Sequence, residues 1–235
     1  MTQTLVLYDT LSNLPGNNWS PNPAKPRFIL SYKGLPFVTV WVEYSDISIA
    51  MKAIGAKPNK RSDGTDVYPV PVLSDPNTGA LITDSLEIAS YLEKTYPEKG
   101  IFPNNSESLI REFDSAHFRL IIPAVKSIFA RSTEISSPIS AKFFIGVRSI
   151  DVPLPWDATY GEDWALLEKG YNTAYEWYQG SGSWATLFSF ADIIVACHLL
   201  WFKRVLKEDE WVRIGSWNGG KWAQLADVEK ECKLA

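Results

Sequence analysis

The run Val70-Pro71-Val72-Leu73, followed by Ile82-Thr83-Asp84-Ser85-Leu86-Glu87-Ile88, constrains this chain more than any other stretch. It predicts a short strand with a proline at its mouth, a hairpin through Asp75-Pro76-Asn77-Thr78-Gly79, a second strand, and a helix opening on Asp84-Ser85. Proline has no N–H to give to a sheet ladder, so within a strand pattern it belongs at an edge or a first position. With a cis Val70–Pro71 bond the chain reverses there, and the N–H and C=O of Val70 stay free to pair with an extended peptide as an added strand would. At the helix opening, the Ser85 hydroxyl and free backbone N–H groups suit a carboxylate, while the Asp84 carboxylate suits an ammonium.

The first hundred residues alternate strand and helix patterns. Thr4 to Tyr8 is a short apolar strand, and Ala24 to Lys33 a helix stopped by Gly34 with Pro36 beyond it. Phe37 to Val42 is β-branched and aromatic, which predicts a second strand. Ser45 caps a helix to about Ile54, and a polar loop from Lys57 to Asp66 leads to the Val-Pro strand. The hairpin strands are Val72–Ser74 and Ala80–Thr83, and Leu86 to Tyr96 is amphipathic. The order βαβαββα suits a thioredoxin-like layer, a small mixed sheet with helices on it. After Pro97 the character changes. Residues 98–105, ending in Pro103-Asn104-Asn105, form a linker, and 106–235 carry helical patterns alone. These are Glu107 to Ala130, with Pro123 expected to kink it, then a helix from Ser137-Pro138, Glu162 to Gln179, Ala191 to Lys207, and short helices in the tail. Ser149 to Tyr160, with Pro153 and Pro155, is a long loop. The expected fold is therefore an α/β thioredoxin-like part, residues 1–97, joined to an all-α part.

Composition narrows the function classes. A net charge of −4 with 21% charged residues argues against a general nucleic-acid binder. No apolar run approaches the ~20 residues needed to cross a membrane, and no basic segment with a hydrophobic stretch opens the chain. Two cysteines, Cys197 and Cys232, make a thin disulfide framework, so a reducing, cytoplasmic setting is expected. His117 and His198 stand without second ligands at helical spacing, which gives no metal site. An aromatic content of 13% exceeds what a core needs and could line a pocket for flat ligands.

Taken in order, the Val-Pro strand, the hairpin and the Asp-Ser-opened helix resemble the glutathione site of glutathione transferases. Ser20 stands in Trp19-Ser20-Pro21-Asn22-Pro23-Ala24-Lys25-Pro26-Arg27, and Lys33-Gly34-Leu35-Pro36 follows at the far end of the same helix. This spacing is similar to the serine-type etherases of that superfamily, above all to the fungal etherase-like (FuA) transferases. Ser189-Phe190-Ala191-Asp192, a capping box with Asp in place of Glu, resembles the capped buried helix of the family's helical domain.

The resemblance implies a homodimeric enzyme with glutathione as cosubstrate and no metal. Glutathione would lie on Val70, Pro71, Asp84 and Ser85, with a cation for its glycine carboxylate from Lys57, Lys60 or Arg61. Its thiolate would attack an electrophilic carbon in an aromatic compound, with displacement of an ether oxygen as one form of the reaction. Tyr8, Trp19, Phe37 and His117 are the acceptor-site candidates. The alternative is a ligandin, which keeps the glutathione site but chiefly sequesters flat phenolic or aromatic molecules.

Such an enzyme must keep a thiol ionised. Lowering a pKa of about 8.5 by two units takes about 2.7 kcal/mol. A helix N-terminus supplies roughly 0.3–2 kcal/mol and a hydrogen bond to a charged partner roughly 1.5–3. A hydroxyl beside a helix N-terminus is therefore about sufficient. Ser20, just before the first helix, is the hydroxyl that the resemblance assigns to the sulfur; a plain helix-capping or loop serine is the other reading. Tyr8, at the expected end of the first strand, occupies the position used by tyrosine-type transferases. The absence of any cysteine before Cys197 excludes dithiol and cysteine-type thioltransferase chemistry there.

Overall fold

The structure is a computed structural model and describes residues 2–61, 63–148, 160–180 and 188–227. Strand β1 (Leu5–Thr10) leads through a loop to helix α1 (Pro21–Lys33), β2 (Phe37–Val42) and α2 (Ile47–Ala53). Two short strands, β3 (Asn59–Lys60) and β4 (Asp66–Val67), precede the hairpin of β5 (Val72–Asp75) and β6 (Ala80–Thr83) and helix α3 (Ser85–Thr95). Five helices follow: α4 (Glu107–Arg131), α5 (Pro138–Arg148), α6 (Tyr160–Gly180), α7 (Phe190–Val205) and α8 (Glu208–Ala226).

The main sheet has the order β2-β1-β5-β6, with β1 parallel to β2 and antiparallel to β5. The thioredoxin-like layer and the all-α half are therefore present. Sequence and structure differ mainly at element ends. Strand β1 runs past Tyr8 to Thr10, because Asp9 is buried without being unpaired. Its carboxylate accepts a 2.6 Å hydrogen bond from Arg27 Nη2, both side chains being 1% exposed. Helix α1 begins at Pro21 rather than Ala24, since first-turn N–H groups have no helical partners for proline to remove. Pro26 lies deeper and cannot donate to the carbonyl of Asn22. The helix ends as expected, with Gly34 in the left-handed region (φ 70°) and Leu35 N–H bonded to Leu30 C=O at 2.9 Å.

Inside the expected polar loop, β3 and β4 form a small antiparallel hairpin around a turn at Gly64. It has no apolar alternation to announce it. Helix α6 already begins at Tyr160, and the expected loop from 149 to 159 lies outside the described residues, as does Cys232. The expected short tail helices are two segments of α8, broken at Trp217–Gly220, where Asn218, Gly219 and Gly220 take positive φ.

One face of the sheet is covered by α2, with Val42, Ile47, Met51 and Val72 buried between them. The opposite face meets α1, and from there a single core continues into the helical half. Helix α1 is the shared element. Phe28, Ile29 and Leu30 are fully buried, and the helix packs on α3 and on α7. Lys33 closes the junction. Its ammonium donates to Glu93 Oε2 and to the carbonyls of Tyr96, Glu98 and Lys99, which fixes the chain as it leaves α3. Arg111 on α4 reaches back to Glu87 and Ser90 on α3. The long loop before α1 is pinned as well. Asn13 N–H donates to Ile135 C=O at 2.8 Å, and Asn13 Nδ2 to Ser136 C=O at 2.9 Å.

Candidate functional site

A cavity of about 350 Å³ opens between the hairpin half and α4. Its floor is Pro69-Val70-Pro71, and the Val70–Pro71 bond is cis. Ladder pairing in β5 starts at Val72, opposite Thr83 of β6 and Tyr8 of β1. Among the described residues, neither the N–H nor the C=O of Val70 has a backbone partner, whereas the carbonyl of Pro71 accepts from Asp84 N–H at 3.3 Å. The unpaired edge expected from sequence thus faces an open space.

At one end of the cavity stand Asp84 and Ser85. Asp84 has φ 84°, unusual for a residue with a side chain, and serves as the N-cap of α3. Its Oδ1 accepts from Leu86 N–H at 2.8 Å and, more weakly, from Glu87 N–H at 3.4 Å. The carboxylate is thereby fixed at a helix N-terminus, beside amides that would otherwise be orphaned.

The rest of the lining comes from residues that sequence reasoning did not single out. These are Asn22 and Lys25, one turn apart on α1, Asp114, Ser115 and Phe118 on α4, and Asn59 of β3. Lys25 Nζ and Asp114 Oδ1 are 3.1 Å apart, with the lysine side chain 4% exposed. The available signals were faint: a lysine within a proline-rich helix start, and Asp114 and Phe118 at i, i+4 on one helix face.

The predicted residues distribute as follows. Val70, Pro71, Asp84 and Ser85 converge on the cavity. Lys57 and Lys60 do not line it; both are exposed, and Lys60 pairs with Asp66 across the β3–β4 hairpin. Ser20 is the N-cap residue of α1, half-buried, two positions before cavity-lining Asn22. Its hydroxyl makes no side-chain capping hydrogen bond, and Ser20 is not among the residues that line the cavity.

The four acceptor-site candidates fall in separate places. Tyr8 is mid-strand rather than strand-end, and its side chain packs with the Met51 and Val72 cluster on the α2 face. Alternation along β1 puts Leu5 and Leu7 toward the α1 side and Tyr8 on the reverse. Phe37 packs against the main core, with the Arg27 guanidinium 5.9 Å from its ring. Trp19 is buried edge-on to Phe144, ring centroids 6.4 Å apart.

His117 lies inside the helical half, 1% exposed, stacked on Phe113 at 5.6 Å and 5.4 Å from the ring of His198. Neither His117 nitrogen has a hydrogen-bond partner among the described residues. Burial pushes its pKa down to about 4 and holds His198 well below the ordinary histidine range, so both imidazoles are neutral at physiological pH. Among the described residues no three His, Cys, Asp or Glu side chains come together to hold a metal ion, and no helix is long and apolar enough to cross a membrane.

A thioredoxin-like sheet whose Val70 edge is unpaired among the described residues is set against an all-helical half. Residues 19–95 match the profile described as glutathione S-transferase, N-terminal domain, and residues 108–231 that described as glutathione S-transferase, C-terminal domain. The chain belongs to the glutathione S-transferase family. It is similar to a glutathione S-transferase of Ceriporiopsis subvermispora, solved in complex with glutathione, at 32% identity and TM-score 0.91, covering 99% of each chain. It is also similar to GSTFuA3 of Phanerochaete chrysosporium, at 30% identity and TM-score 0.86, over 97% of this chain and 96% of that one. The glutathione S-transferase-like protein ustS of Aspergillus flavus is 30% identical over 165 residues, 63% of this chain. The match spans 58% of that relative's length.

Proposed function

We propose that this chain binds glutathione along Val70 and uses its thiolate, held by the Ser20 hydroxyl, against electrophilic aromatic compounds. The observation that carries this reading is the unpaired backbone of Val70 lying in one cavity with Asp84, Ser85 and the start of α1. The tripeptide would pair with Val70 as an added strand. Its charged γ-glutamyl end would meet Asp84 and Ser85, and its glycine carboxylate would lie toward Asn59, with Lys57, Lys60 or Arg61 reaching in as the cation from the exposed loop outside the cavity.

The thiol releases its proton to solvent on binding, and the Ser20 hydroxyl donates a hydrogen bond to the thiolate that remains. Its sulfur then forms a bond to the electrophilic carbon as a halide or aryl oxide departs with the bonding pair. The chain's own share is orientation and stabilisation of negative charge. Residues 98–105 would serve as the linker between the two halves, and two copies would form the working unit.

Retention on immobilised glutathione, with conjugation of an aryl halide, is the expected result; failure to retain would end the proposal. A ligandin is a second reading, favoured by Phe118, which is 43% exposed at the cavity wall and offers a flat apolar face. Glutathione binding with negligible turnover across aryl and ether acceptors, together with tight dye displacement, would select it.

A further inference from the structure

The pair Lys25–Asp114 is unlike the other charges around the cavity. Lys60, at the loop side, is an exposed cation paired with Asp66. Lys25 is nearly buried, and its three N–H donors have one acceptor among the described residues, Asp114 Oδ1 at 3.1 Å. Leaving donors of a buried ammonium unmatched is unfavourable, so the site calls for an anionic oxygen. Asp114 is 23% exposed and uses one oxygen for the lysine, which leaves the other for a cation. Across the same cavity, Asp84 has committed Oδ1 to the amides of α3, while the Ser85 end of that helix favours a negative group.

Anion-seeking and cation-seeking groups therefore both occur among the residues that line the cavity. An α-amino acid head has that complement, with an ammonium and a carboxylate on one carbon. A ligand carrying only one of the two charges would leave either the Lys25 donors or the second Asp114 oxygen without its match.

We infer that Lys25 and Asp114 are positioning residues for the zwitterionic γ-glutamyl head, Asp114 facing its ammonium and Lys25 its carboxylate, in the cavity they share with Asp84 and Ser85. This rests on the glutathione reading above and deepens it. Selection for a free α-amino acid at that end becomes a property of the junction between α1 and α4, not of the hairpin half alone. A purely structural ion pair joining two helices is the competing explanation, and it predicts no discrimination between ligand ends.

The test compares glutathione with two analogues, one lacking the α-amino group (a glutaryl head) and one lacking the α-carboxylate (a 4-aminobutanoyl head). Dissociation constants are measured by calorimetry on the wild type, Asp114→Asn and Lys25→Met. The wild type should bind each analogue at least about tenfold more weakly than glutathione. Asp114→Asn should lose most of its preference over the glutaryl analogue while keeping the other, and Lys25→Met should do the reverse.

Variants that weaken all three ligands by one common factor would overturn the inference and leave a structural pair. A wild type that binds no glutathione would instead overturn the functional reading beneath it. Should either variant fold poorly, a crystal of the wild type soaked in glutathione decides the point. The ammonium must lie within hydrogen-bond reach of Asp114 and the carboxylate within reach of Lys25; a head turned away from both refutes the assignment.

Discussion

Replacing Ser20 with alanine separates chemistry from architecture. An N-cap serine ordinarily stabilises its helix by about 1 kcal/mol, but here the hydroxyl makes no capping bond and Pro21 already sets the first turn. The loss in stability should therefore stay below about 0.5 kcal/mol, a melting shift under about 2 °C for a chain of this size. The thiolate effect is larger. A hydrogen bond to a charged partner contributes about 1.5–3 kcal/mol, and 1.36 kcal/mol is one pKa unit. Ser20→Ala should raise the pKa of bound glutathione by about 1–2 units, read from thiolate ultraviolet absorbance against pH.

Conjugation should then fall about 10- to 100-fold on the acid side of the profile and converge with the wild type at alkaline pH, where the sulfur ionises unaided. Glutathione affinity should change little, because the tripeptide is held elsewhere. Tyr8→Phe is the control, and with its ring on the α2 face it should leave the sulfur's pKa in place. An unchanged pKa and pH profile in Ser20→Ala, at unchanged melting temperature, would refute the assignment of Ser20.

Two further expectations concern the helical half. Arg131 at the end of α4 makes two hydrogen bonds to the Glu210 carboxylate of α8, both side chains nearly buried, and Glu210 also accepts from Lys207 N–H at 2.7 Å. Arg131→Met strands a buried carboxylate and should cost about 3–5 kcal/mol, on the order of 10 °C in thermal melting. Arg131→Met with Glu210→Leu should recover much of it, and a single variant within 1 kcal/mol of wild type would count against a structural pair.

Acid stability tests His117. In the unfolded chain it takes a proton near pH 6.5, in the folded chain only near 4, so stability is lost as pH falls through that window, by up to roughly 3 kcal/mol. Asp9 works the other way. Burial raises its carboxyl to about 6 against the pull of Arg27, so the folded state takes up a proton first and gains on acidification. His117→Phe keeps the Asp9 effect, and its urea midpoint should therefore fall less than the wild type's between pH 6.5 and 4.5. Equal slopes would show that the imidazole titrates alike in the folded and unfolded chains, which would refute its depression by burial.

Elements with punctuation were legible from sequence. Gly34 and Pro36 stopped α1, Asp75-Pro76-Asn77 turned the hairpin, and Asp84 capped α3, each through local backbone chemistry that tertiary context did not override. The unpaired edge at Val70 was legible for the same reason, since a proline before a strand removes a donor wherever the strand goes. The far wall was not. Lys25 and Asp114 are 89 residues apart, and nothing local marks a lysine that will be buried. Tyr8 was misplaced as strand-end because Asp9 looks like a strand breaker until Arg27, 18 residues on, neutralises it. The β3–β4 hairpin was invisible because two-residue strands carry no alternation to read.

Helix α1 is counted by sequence with the sheet, yet it packs as firmly on α7 as on its own half. The two halves are therefore not interchangeable parts. A hybrid that grafts the helical half of one relative onto the sheet of another must carry along the matching α1 surface, from Pro23 to Leu30, or it will mate two cores that were never fitted together. Sequence drift in acceptor preference should accordingly be paired with compensating change along α1, on the side of the chain that is usually regarded as fixed.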